Sequence, residues 1–78
     1  MIMIEILFFG PVADAMGRRA QSFPLPDTGL SLLALRRQLF EDRAELRLRM
    51  SVNQVIKTED QPLQSGDEVA LFTVFSGG

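Results

Sequence analysis

Side chains able to do chemistry are scarce in this sequence. Its 78 residues include no Cys and no His. That excludes a thiol nucleophile, an imidazole base, a disulfide frame and a zinc finger. The sole lysine, Lys57, falls in a polar stretch and is given no catalytic role. The arrangement that does suggest chemistry is the end of the chain, Phe75-Ser76-Gly77-Gly78. Glycine has no Cβ, so a Gly-Gly backbone can enter a narrow channel and adopt angles closed to other residues. The Gly78 carboxylate then stands with no neighbouring side chain to block attack. A carboxylate is a poor electrophile, but adenylation makes it a good one. A sulfur donor can then convert it to a thiocarboxylate. Such a tail needs no catalytic side chain of its own, in keeping with the sparse inventory.

A tail needs a base. The three residues 76–78 span about 10 Å, and the reach from Phe72 is about 20 Å. The preceding residues, Glu68 to Phe75, read as a strand, with Val69, Leu71, Thr73 and Phe75 alternating against Glu68, Ala70, Phe72 and Val74. The opening segment, Met1 to Phe9, is a second strong strand. Ile2, Ile4, Ile6 and Phe8 share one face, and Met3, Glu5, Leu7 and Phe9 the other. Gly10 ends it, Pro11 to Met16 suits a short helical turn, and Gly17 stops that turn. A weaker strand, Ala20 to Leu25, runs into Pro24 and Pro26, which interrupt any ladder. Ser31 is placed to cap a helix from Leu32 to about Glu41, with Leu32, Leu35 and Leu39 as its apolar stripe and Arg36 and Arg37 toward solvent. From Glu45 to Asn53, Leu46, Leu48, Met50 and Val52 alternate with Arg47, Arg49, Ser51 and Asn53. Asn53-Gln54 is a turn, Val55-Ile56 a short return strand, Lys57 to Leu63 a loop, and Ser65-Gly66-Asp67 another turn.

Strand, strand, helix, strand, short strand, strand is an α+β pattern. One helix covers one face of the sheet and leaves the other open. Glu5 marks the open face of the first strand and brings Leu7 and Phe9 with it. Glu68 marks the open face of the last strand and brings Ala70, Phe72 and Val74. Phe9 and Phe72 are therefore expected on an uncovered surface, as a docking patch.

The chain is one small domain, 1–78, with 76–78 as its projecting tail. Such a domain buries about 60% of its unfolded surface, so its core is thin and a deep private active site is not expected. Apolar residues make up 46% and charged residues 23%, the balance of an ordinary globule. The net charge of −2 argues against bulk nucleic-acid binding. The longest apolar runs fall far short of a membrane span. Glu5 interrupts the apolar start and no basic leader precedes it, so no signal peptide is read there. The expected compartment is the cytoplasm.

Gly77-Gly78, the Ser65-Gly66-Asp67-Glu68-Val69 turn, the Val52-Asn53-Gln54 turn and the opening Ile6-Leu7-Phe8-Phe9 together resemble the small subunit of molybdopterin synthase, in the ThiS/MoaD-like sulfur-carrier family. The resemblance covers essentially the whole chain. It implies a ubiquitin-like β-grasp, a mixed sheet of four to five strands with one main helix on one face. It implies a carrier subunit, not an enzyme on its own. An ATP-consuming, ubiquitin-activating-like adenylyltransferase would adenylate the Gly78 carboxylate, and a sulfurtransferase would supply sulfur for the Gly78 thiocarboxylate. The large synthase subunit would accept the tail, in a heterotetramer, and sulfur would pass to cyclic pyranopterin monophosphate. No cofactor or metal would stay bound to the chain. Gly77 would provide flexibility and channel fit; Phe9, Ile56, Phe72, Phe75 and Ser76 would meet the partner. The family commonly has proline before the tail, where this chain has Thr73 and Val74, and Phe75 replaces a smaller aliphatic residue. Two other readings are a carrier for thiamin or thionucleoside synthesis and a β-grasp interaction module with an inert tail.

Arg36, Arg37, Arg43, Arg47 and Arg49 form a basic run, read as a solvated face balanced by Glu41, Asp42 and Glu45. Glu59 and Asp60 are read as loop-solubilising acids.

Overall fold

The computed structural model describes residues 2–40 and 48–73. Five strands form one sheet: β1 (Met3–Phe8), β2 (Ala20–Pro24), β3 (Leu48–Val52), β4 (Val55–Lys57) and β5 (Glu68–Thr73). Two helices, α1 (Pro11–Met16) and α2 (Leu32–Leu39), complete the described elements. The sheet order is β2-β1-β5-β3-β4. β1 and β5 are parallel at its centre, and every other pair is antiparallel.

The alternation in β1 is realised as read. Ile4, Ile6 and Phe8 are buried, while Glu5 and Phe9 are exposed. In β5, Val69 and Leu71 are fully buried. In β3, Leu48, Met50 and Val52 face the same way. The pairing aligns Ile6, Val69 and Val52 in one inward row and Phe8, Leu71 and Met50 in the next. Leu32 and Leu35 of α2 join these rows in the core, together with Val12, Leu30, Phe40 and Leu63.

The helix starts where Ser31 predicts. Its backbone is extended, and its Oγ accepts a hydrogen bond from the Ala34 amide at 3.1 Å. Asp60 has a larger role than loop solubility. Its Oδ1 accepts from the Leu33 amide at 2.9 Å and from the Gln61 amide at 2.9 Å, which gives α2 a second cap from a residue 27 positions away. The loop is further tied by Leu32 N–H donating to Gln61 O and Leu63 N–H donating to Leu30 O. α2 ends at Leu39, earlier than the expected Glu41, because Phe40 leaves helical geometry and turns into the core. Lys57, read as loop, is the last residue of β4, and β2 stops at Pro24.

Two turns lock the sheet's register. Asn53 and Gln54 both have positive φ, 51° and 71°, the geometry of a tight hairpin that follows the twist of its strands. The Asn53 side chain donates to Asp67 Oδ1 at 3.0 Å and accepts from the Glu68 amide at 3.0 Å. The Asn53 amide donates to Glu68 O. Asp67 Oδ2 accepts from the Gln64 amide, Asp67 O accepts from the Glu5 amide, and Gly66 N–H reaches Met3 O. The hairpin, the second turn and the start of β1 are therefore one hydrogen-bonded unit.

Two substitutions test this unit by urea unfolding. Asn53→Ala loses both side-chain hydrogen bonds and is expected to lower stability by about 1–3 kcal/mol. Gln54→Gly relieves a left-handed conformation that costs a side-chain-bearing residue about 1–2 kcal/mol, so it is expected to raise stability. An unchanged midpoint in both would show that the turn does not contribute to stability.

Candidate functional site

The face of the sheet opposite α2 is built from the residues that alternate with the core. The row Leu7, Ala70, Ser51 and Ile56 crosses four strands in register. The next row toward the C-terminal end of β5 places Phe72 against Arg49, with Phe9 following the parallel β1–β5 pairing. The Phe9 amide donates to Leu71 O at 3.1 Å, which holds the residue after β1 against β5. Phe9 is 51% exposed and Ile56 62% exposed, while Phe72 is half-buried. Small residues, Ala70 and Ser51, occupy the middle of the face, and larger apolar ones its margins. Ser51 lies low enough between its neighbours to be buried.

Phe9, Phe72 and Ile56 thus lie on one face. The alternation argument reaches the first two. Ile56 was reached through the resemblance, and the Ser51–Ile56 pairing places it on the same face. The remaining expected site residues, Phe75, Ser76, Gly77 and Gly78, lie outside the described residues. So do Glu41, Asp42, Arg43, Glu45 and Arg47 of the basic run. β5 is described to Thr73, which pairs with Leu48 beside the Phe72–Arg49 row. The apolar patch therefore adjoins the end of the strand from which the tail continues.

Reading the chain as a linear sequence misses one feature of the face. Arg49 belongs in sequence to the basic run, yet it stands directly across from Phe72. Its outward direction follows from the β3 alternation; its neighbour required the β3–β5 register. A shallow groove continues the face toward α1, between Leu7, Phe9, Ala13 and Arg19. It is open, with Asp14 and Arg19 as its charged groups. Among the described residues, no group of three or more acidic side chains is gathered to hold a metal.

Neighbouring phenylalanines test the assignment of faces. Phe8→Ala removes a core ring and is expected to cost about 3–5 kcal/mol. Phe9→Ala, one residue later and outward, is expected to cost less than about 1 kcal/mol. Reversed magnitudes in urea unfolding would mean that the faces are inverted.

Known proteins resemble this chain in sequence and in fold. A family model described as the ThiS family matches residues 6–78. The molybdopterin synthase sulfur carrier subunit of Escherichia coli (strain K12) is 33% identical over 81 residues, covering 97% of this chain and all of that protein. The crystal structure of SAMP1 from Haloferax volcanii aligns with a TM-score of 0.73 at 21% identity, covering 97% of this chain and 99% of that one. That likeness concerns the fold. The mixed five-stranded sheet with its covering helix is a ubiquitin-like β-grasp.

Proposed function

Because the chain belongs to the ThiS family of sulfur carriers, we propose that it is the sulfur-carrier small subunit of molybdopterin synthase and that its reactive group is the Gly78 carboxylate. The observation that carries this reading is the end-to-end similarity, at 33% identity, to a protein of that name. The terminal Gly77-Gly78, the exposed Phe9 and Ile56 and the half-buried Phe72 on the same face add support.

An activating enzyme brings the Gly78 carboxylate to the α-phosphate of ATP. Pyrophosphate leaves and an acyl adenylate forms. Sulfur from a sulfurtransferase, delivered at the oxidation level of sulfide, attacks the acyl carbon and AMP departs. The product is a Gly78 thiocarboxylate. The large synthase subunit accepts this tail, the sulfur bonds to cyclic pyranopterin monophosphate, and water cleaves the acyl–sulfur bond, which leaves the sulfur on the pterin and regenerates the Gly78 carboxylate. Each turnover delivers one sulfur, so a dithiolene needs two. Phe9, Ile56 and Phe72 dock on the large subunit, Phe75 and Ser76 follow the tail toward its site, and two copies flank a large-subunit dimer. The chain supplies no base or acid of its own. Its contribution is a carboxyl terminus that fits a channel, held at a fixed distance from a docking face.

Intact mass spectrometry tests the chemistry. With ATP, a sulfur source and the host activating enzyme, a gain equal to sulfur replacing oxygen is expected, mapped to Gly78. One residue appended after Gly78 is expected to abolish that gain. Survival of the gain in the extended protein would overturn the mechanism. No gain in the unmodified chain, with an activating enzyme competent on a control carrier, would favour an interaction module.

Calorimetry with the large subunit tests the surface. Phe72→Asp brings a charge into an apolar contact and is expected to weaken binding by at least about tenfold. Unchanged affinity would remove Phe72 from the interface.

A further inference from the structure

The open face carries charges that the fold uses little. Glu5 and Glu68 lie directly opposite one another in the β1–β5 pairing, a like-charge neighbour pair that costs a sheet stability. Glu5 accepts one hydrogen bond, from Ser22 Oγ at 3.1 Å. Among the described residues the Glu68 carboxylate has no partner, and neither has the Arg49 guanidinium. Arg49 stands at the other end of the face, across from Phe72. From Glu68 to Phe72 is four residues of strand, about 13 Å. Between these ends lie Leu7, Ala70 and Ser51. Along β5 the open face therefore runs from carboxylates, through an apolar centre, to an aromatic row with a guanidinium beside it.

An apolar patch supplies affinity but little direction, because the hydrophobic effect is non-directional. A carrier needs direction. Its productive complex must bring the Thr73 end of β5 to the partner's active site, and a docking rotated by half a turn would carry that end away. We infer that the Glu5–Glu68 pair and Arg49 fix the rotation of this face on its protein partner. The partner then presents basic groups over Glu5 and Glu68, an apolar centre over Ala70, and an acidic group over Arg49. Complementary rim charges of this kind steer encounter and fix register more than they add affinity. The inference rests on the proposed reading, since it identifies the partner as the large synthase subunit.

The test is the association rate of the full chain with the purified large subunit, at low salt and at about 1 M salt, where charges are screened within about 3 Å. The key variant combines Glu68→Lys with Arg49→Glu, which reverses the gradient and leaves net charge unchanged. It is expected to associate about tenfold more slowly than the unmodified chain at low salt, with the difference closing at high salt. Glu68→Gln, nearly isosteric, is expected to give a smaller loss of the same sign and stands in if the swap fails to fold. Equal rates for the unmodified chain, the swap and Glu68→Gln at low salt would overturn the inference. If Phe72→Asp abolished binding in that case, the proposed reading would stand. An unmodified chain that failed to bind the large subunit at all would defeat both.

Discussion

β5 lies between β1 and β3, and its register against both decides which of its side chains enter the core. Ile6–Val69–Val52 and Phe8–Leu71–Met50 are inward rows only at the observed pairing. A slip of one residue would exchange Val69 and Leu71 for Glu68, Ala70 and Phe72. The same register that buries Leu71 therefore puts Phe72 on the open face, beside Phe9 and Arg49. Core and candidate docking surface are two consequences of one alignment. The Asn53–Asp67–Glu68 hydrogen bonds sit at the entrance to β5, where they pin that alignment before the strand begins.

The open face leaves stabilisation unused. Full burial of a phenylalanine ring is worth about 1.5–3 kcal/mol, and a 78-residue domain has little stability to forgo. Phe9 and Ile56 nonetheless remain more than half exposed. Small residues in the middle of the face keep the loss moderate, since Ala70 and Ser51 have little apolar surface to hide. The larger groups at the margins keep apolar surface that docking on a second molecule would bury. Association must overcome its own entropic cost, so such a patch suits reversible docking better than permanent assembly.

The parts of the fold written in local pattern were legible in the sequence. β1 and β5 alternate strictly, each with one glutamate on the outward face, and that placed Phe9 and Phe72. Ser31 announced its helix because capping is a contact across three residues. What was not legible depends on distant pairing. Asp60 looks like any loop acid until the loop folds back on the start of α2. Ile56 sits in a three-residue strand with no measurable period, and its face follows from Ser51 across the hairpin. Arg49 appeared as one of several arginines; its position across from Phe72 exists only once β3 and β5 are paired. The chemistry proposed for Gly77-Gly78 rests on the sequence and the family alone, because it needs no constellation of side chains and those residues lie outside the described ones.

The last strand in sequence is the middle strand in space. Leu71 is paired on both sides, to Phe8 and to Met50, and Thr73 is still paired to Leu48. β5 is thus held by both neighbours as far as Leu71 and by β3 as far as Thr73. An edge strand would fray more readily along Glu68 to Leu71, since half of its backbone groups face water. Five residues separate Thr73 from the chain's end, so Gly78 can lie no further than about 17 Å from it. If the terminal carboxylate is the reactive group, docking the adjacent face confines it to that radius about a fixed origin. Positioning of this kind lowers the entropic part of a transfer barrier without any catalytic side chain on the carrier. On that proposal, a domain with no histidine and no cysteine takes part in group transfer through the position of its terminus.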